Sequence, residues 1–304
     1  SSSPVQVDSA PTAGGAYGIA VAGAYVYVAA EGDMVIFDTA TVSVQGTLSA
    51  PVRAMDVAVD GTWAYVADEM AGLRIVDVSA VGSPSAVSLL ALPSMQPRGI
   101  AVDFPLVAVS GYIGAGGSAL QVVNVTDRVN PRLAASATLP THSESLALQG
   151  GLAYVTGYGI QVVDIANPSA PVSAGSSPLS QGYDLVVEGD RAIVASFGSG
   201  LTLLDISNPA APQQLDSVNP AGLEYGLAVK WPYAYLTGSN RFQVVSLEDP
   251  GDLVVTGSAD LLGSGSDVAV EGDHAYVADG GMGMAVLDIS DPANPVPVAS
   301  WLTA

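Results

Sequence analysis

The sequence predicts an all-β chain folded as a seven-bladed β-propeller, with four antiparallel strands per blade. Three observations predict it. A short apolar string recurs seven times: MVIFD (Met34 to Asp38), LRIVDV (Leu73 to Val78), LQVVNV (Leu120 to Val125), IQVVDI (Ile160 to Ile165), LTLLDI (Leu201 to Ile206), FQVVSL (Phe242 to Leu247) and MAVLDI (Met284 to Ile289). The polar residues in successive copies lie 39, 47, 40, 41, 41 and 42 residues apart. No helical periodicity interrupts the pattern, and a period near ~40 residues with four strands is that of a propeller blade.

Each element of the repeat follows from its residues. The first segment is DVAVEGD (Asp267 to Asp273) in the last copy, DLVVEGD (Asp184 to Asp190) in the fifth and DVAVDG (Asp56 to Gly61) in the second. It alternates as a strand does, and its glycine predicts a tight hairpin. The second segment, AYVAD (Ala64 to Asp68; Ala275 to Asp279), is β-branched and aromatic. The third is the recurrent string, apolar on both faces, as a strand between neighbouring sheets must be. A turn rich in Asn, Asp and Pro then breaks it, as in IANPSAP (Ile165 to Pro171), before a fourth short strand. The whole of 1–304 is expected to form a single propeller domain, with repeats at 14–52, 53–95, 96–141, 142–180, 181–221, 222–263 and 264–304. The segment 1–13 is expected as an outer strand that closes the ring. PVQVDSA (Pro4 to Ala10) and PVPVASW (Pro295 to Trp301) both resemble a fourth strand. The N-terminal one is expected in the seventh blade, with the C-terminal one outside it or starting a link to a further domain; the reverse arrangement is the alternative.

These strings resemble the LVIVD repeat, a propeller family of large secreted and surface-attached bacterial proteins; LRIVDV, IQVVDI and LTLLDI are the nearest copies. Asn124 and Ser246 replace the motif's Asp, and Phe37 its aliphatic neighbour. The resemblance spans about Gly14 to Ala304. It implies the fold and an extracellular or cell-surface setting within a longer multidomain chain, and carries no catalytic signature.

Composition removes other classes. The chain of 304 residues has 8 basic and 29 acidic side chains, a net charge of −21, and one lysine, Lys230. That balance argues against nucleic acid and anionic lipid. With 49% hydrophobic residues it is no disordered acidic tail. No apolar run approaches the ~18 residues of a membrane span. The N-terminal SSSPVQVDSA lacks the basic start and apolar core of an intact secretory signal and reads as a mature start. The absence of cysteine excludes disulfides and thiolate sites.

Repeated positions are structural; positions that differ from copy to copy are unconstrained or individually used. Tyr25, Tyr65, Tyr154, Tyr235 and Tyr276 recur in the second strand and read as packing. The position just before each inner strand varies: Tyr17, Met55, Arg98, Glu144, Tyr183, Tyr225 and Ser266. It falls on the face that carries the blade-to-blade connections, at the mouth of the axial channel, where propellers commonly bind ligands. Tyr17, Arg53, Arg98, Glu144, Tyr183, Tyr225, Tyr112, Tyr158 and Phe197 are therefore the candidate ligand site. The tyrosines suit sugar rings or peptide side chains, and Arg53 and Arg98 could clamp a carboxylate. The competing reading has the rings plug the channel and Arg98 pair with Glu144. Asp56, Asp184 and Asp267 share the next position and could hold calcium; alternatively they accept backbone N–H groups. No other cofactor is implied. The expected function is adhesion or binding of a glycan, protein or peptide. A lyase- or lactonase-like enzyme using Arg98, Glu144 and Tyr183 is one alternative, and a structural spacer the other.

Overall fold

Val, Ile and Tyr at alternate positions, broken by Gly and Asx-Pro turns, leave the backbone little choice but short extended segments. In the computed structural model, which describes residues 5–6, 14–49, 51–92, 94–114, 116–220 and 224–301, there are 26 strands and no helix among the described residues. The first blade comprises Ala16–Ala22, Tyr25–Ala30, Met34–Asp38 and Val44–Leu48, hydrogen-bonded in that order and antiparallel throughout. The second and third blades repeat this order. In the fourth blade the second and third strands are one continuous strand, Leu152–Asp164, and so are those of the sixth, Tyr233–Ser246. Val172–Glu188 leaves the fourth blade as its outer strand and enters the fifth as its inner one. The seven inner strands touch in a closed cycle, the seventh against the first, so the sheets surround an axis.

Ring closure differs from the expected arrangement. Val296–Trp301 is the fourth strand of the last blade, antiparallel to Met284–Asp288. Val5–Gln6 lies outside it, parallel, with Val5 opposite Ala299. The rest of 1–13 lies outside the described residues. Burial explains the order: Trp301 is 3% exposed and meets the Phe37 ring of the first blade edge-on at 5.0 Å, so the C-terminal strand carries the apolar contact across the seam.

One repeated position recurs in all seven blades and a second in five of them. The motif's polar residue ends the third strand by accepting the backbone N–H two residues on: Asp38 from Ala40, Asp77 from Ser79, Asp164 from Ala166, Asp205 from Ser207 and Asp288 from Ser290, at 2.8–3.0 Å. Asn124 and Ser246 do the same for Thr126 and Glu248, which is why they substitute for Asp without cost to the fold. The second-strand tyrosine packs opposite an inner-strand alanine: Tyr65 on Ala58, Tyr154 on Ala147, Tyr235 on Ala228 and Tyr276 on Ala269. In the first blade that place belongs to Tyr27, opposite Ala20, and not to Tyr25, which begins the strand opposite Ala22.

Candidate functional site

The variable position is a β-bulge. Between Ala16 and Gly18, Ala54 and Asp56, Pro97 and Gly99, Gly182 and Asp184, and Glu224 and Gly226 the inner strand slips by one residue against its partner. The extra residues are Tyr17, Met55, Arg98, Tyr183 and Tyr225. In the fourth blade Glu144 and Ser145 together oppose Thr156, and in the seventh Ser266 and Asp267 oppose Ala278. A bulge frees one side chain from the pleat and re-aims it. Here seven bulges, one per blade, aim at the axis and enclose a cavity of about 420 Å³ that all seven extra residues line.

Below the bulges, the next position alternates around the ring: Gly18, Asp56, Gly99, Ser145, Asp184, Gly226, Asp267. Each aspartate grips its own strand and the next blade. Asp56 accepts from Val57 N (2.7 Å) and Ile100 N (2.9 Å). Asp184 accepts from Leu185 N (2.8 Å) and Leu227 N (2.7 Å). Asp267 accepts from Val268 N (2.7 Å) and Ile19 N (2.8 Å), across the chain-end seam. The glycines sit where blades come closest: a Cβ on Gly18 would lie 2.7 Å from Asp56 Cα, and one on Gly226 would lie 2.4 Å from Asp267 Cα. Seven is odd, so strict alternation must fail once. It fails at Ser145, whose hydroxyl donates to Asp184 at 2.8 Å.

These carboxylates are therefore blade staples, the second of the two readings given for them. Their oxygens are spent on N–H groups, and among the described residues no cluster of three or more His, Cys, Asp or Glu could hold a metal ion. Burial pushes Asp56 up to about 7, with the charge of Asp184 adding to it. Burial also raises Asp184. Asp267 is raised well above the carboxylate range by burial and by repulsion from Asp184 and Asp56.

Of the predicted ligand residues, Tyr17, Arg98, Glu144, Tyr183 and Tyr225 line the cavity. The others brace it. Arg53 lies over the Tyr17 ring, 5.1 Å from its centroid, and donates to its hydroxyl at 3.4 Å. The long insertion extends Leu106–Ile113 and Gly117–Asn124 into a paired hairpin. It brings Tyr112 over to donate a hydrogen bond to Glu144 Oε1. Burial, then that bond, raises the Tyr112 phenol. His142 stands edge-on to Tyr112 and to Tyr158, 5.4 Å from each. Phe197 meets Tyr183 edge-on at 5.8 Å, and Tyr183 meets Tyr225 at 5.1 Å. Tyr158 (54% exposed) and Phe197 (42% exposed) stand on the rim. Ser143 is buried, so His142 and Ser143 form no exposed base–nucleophile pair.

The pairing of Arg98 differs from the competing reading. Arg98 does not pair with Glu144; its Nη2 lies 3.0 Å from Glu69 Oε1. Arg53 holds the other oxygen of the same carboxylate at 2.8 Å. One acid thus takes an Nη of each arginine, while the Nε of each has no partner among the described residues. Glu69 was not among the predicted residues. Its only sequence signal is an acid in the loop after the second strand, and only ring geometry brings that loop between two arginines of successive blades.

Fold and site together define a β-propeller with an open axial cavity lined by every blade. The LVIVD repeat model matches residues 13–44, 53–90, 140–177, 181–219 and 262–303, and the chain belongs to that family. The unmatched repeats, the third and sixth, are those where Asn124 and Ser246 replace Asp. The chain is similar in structure to hydrazine synthase of Kuenenia stuttgartiensis, at 17% identity and a TM-score of 0.76, covering 94% of this chain and 97% of that one. The computationally designed Ika8 protein aligns at 11% identity and a TM-score of 0.62, over 91% and 97%. BamB from Moraxella catarrhalis aligns at 14% identity and a TM-score of 0.58, over 89% and 83%. At these identities the likeness is one of fold. No curated protein matches the sequence.

Proposed function

We propose that the chain is an extracellular binding module of a bacterial surface protein that takes a glycan or peptide group at the channel mouth. One observation carries this: all seven bulges aim a side chain into one open cavity of about 420 Å³, and those side chains differ from blade to blade. A propeller that served only as a spacer has no need of a cavity lined by three tyrosines, and repeated positions elsewhere in the blades stay alike. The volume sits at the low end of the ~300–1,000 Å³ of small-ligand sites, which favours a single residue or sugar unit over an oligomer.

The test is a glycan and peptide array probed with the labelled chain, then with Tyr183→Ala and Tyr225→Ala. A captured ligand should be lost in both variants while their melting temperatures stay close to that of the parent. Capture that survives both substitutions would remove the mouth as the site.

A further inference from the structure

The charges around the cavity narrow what can enter it. We propose that the mouth receives a protonated amine on an aliphatic stem, the head of a lysine side chain presented by a partner protein or peptide. This rests on the reading of the mouth as a ligand site and gives its ligand a chemical class. Arg53 and Arg98 both turn to Glu69, which offsets one of their two charges, and Glu144 in the wall balances the other by count, so the mouth holds no excess of positive charge for an anion. Glu144 lines the wall with Oε1 taken by Tyr112 and with Oε2 lacking a protein partner among the described residues. That oxygen is an acceptor for an ammonium, and a charge-assisted bond is the strong kind.

The rings of Tyr17, Tyr183 and Tyr225 complete the wall. Their faces attract a cation, and their area shelters methylene groups. A bare inorganic cation would leave those rings unused. Asp56, Asp184 and Asp267 lie one residue deeper and repel one another as they ionise, so the floor supplies no positive charge to draw a carboxylate or phosphate. The net charge of −21 draws cations toward the molecule from a distance. The rim separates a protein-borne amine from an amino sugar. Met70 (70% exposed) and Met282 (41% exposed) stand in mouth-side loops with Phe197 and Tyr158. Methionine with aromatics is the composition of a protein interface.

Isothermal titration of the 304-residue chain with four probes tests this: Nα-acetyl-lysine-N-methylamide, its Nε-acetylated form, Nα-acetyl-glutamate and glucosamine. The lysine probe should bind, and Nε-acetylation should weaken it at least about tenfold, the worth of one charge-assisted bond. Glu144→Gln keeps an acceptor for Tyr112 and should produce the same loss. Should that variant fail to fold, Tyr183→Leu keeps every carboxylate and should weaken the lysine probe several-fold. Acetylated lysine or glutamate binding as well as lysine overturns the inference and leaves the mouth a ligand site. Glucosamine binding more tightly than lysine overturns the lysine assignment. Silence from all four, beside an array ligand that depends on Tyr183, overturns the inference alone. Silence in both experiments takes down the reading of the mouth as well.

Discussion

Single residues in this protein carry costs that the pattern of repeats conceals. Asp279 follows the second strand of the last blade, where the second blade has Asp68. Asp68 is paired with Arg74 at 3.0 Å. In the last blade Ala285 stands where Arg74 would, and Asp279 is 1% exposed, with Oδ2 accepting from Gly263 N and Oδ1 unpartnered. Burial pushes its carboxyl up to about 6. A carboxyl raised on folding holds its proton more tightly in the folded state, so stability falls as pH rises from the unfolded value toward the folded one. Asp56, Asp184 and Asp267 act in the same direction. The melting temperature should therefore fall between about pH 4 and about pH 7. Asp279→Asn should raise it near neutrality and flatten that fall; a parent whose melting temperature climbs over this range would contradict the assignment. The staples themselves are testable: Asp184→Ala strands two backbone donors and the Ser145 hydroxyl, and should cost about 1–3 kcal/mol in denaturant titration.

Among the elements, the inner strands decide how blades meet. The bulge pushes one side chain into the channel, and the residue after it must fit against the neighbouring blade. Gly226→Ala would place a methyl group 2.4 Å from Asp267 Cα, against backbone that cannot turn away. The expected loss is about 1–3 kcal/mol, as for overpacking a filled core. The equivalent change at Gly251, where a Cβ would meet only Asp249 Oδ1 at 3.6 Å, should cost less. Similar losses from both substitutions would mean that blade approach is not what the glycines serve. At the end of the third strand, Asp205→Asn should be nearly silent, because Asn124 already performs that turn. Asp205→Ala should cost roughly 0.5–1.5 kcal/mol, one hydrogen bond.

The whole molecule is a ring, and its stability passes through one seam. Asp267 reaches Ile19, Tyr276 donates to Thr39 O at 2.9 Å, and Trp301 packs on Phe37. All three contacts join the last blade to the first. Trp301→Ala should cost about 3–5 kcal/mol, the usual penalty for emptying an aromatic core position. A thermal melt showing little change would mean that Val5–Gln6, and not the C-terminal strand, carries the closure.

The blades were legible in the sequence because everything that defines them is local. Strand alternation, hairpin glycines, Asx-Pro turns and the terminal Asp all act within a few residues and repeat. The channel-lining residues Tyr17, Arg98, Glu144, Tyr183 and Tyr225 were legible for the same reason, as the one position that refused to repeat. What the tertiary structure decided depends on groups brought together from different blades. Tyr25 and Tyr27 point to the same face of one strand, and only pairing with Ala20 selects Tyr27. Glu69 meets Arg53 and Arg98 only because successive blades converge on an axis. The alternation of Asp and Gly becomes a set of staples only when the ring closes, and the choice between two chain ends for the last strand rests on which one brings a tryptophan to the seam. Local pattern specifies the blade, whereas partnership between blades is set by a closure that no single repeat contains.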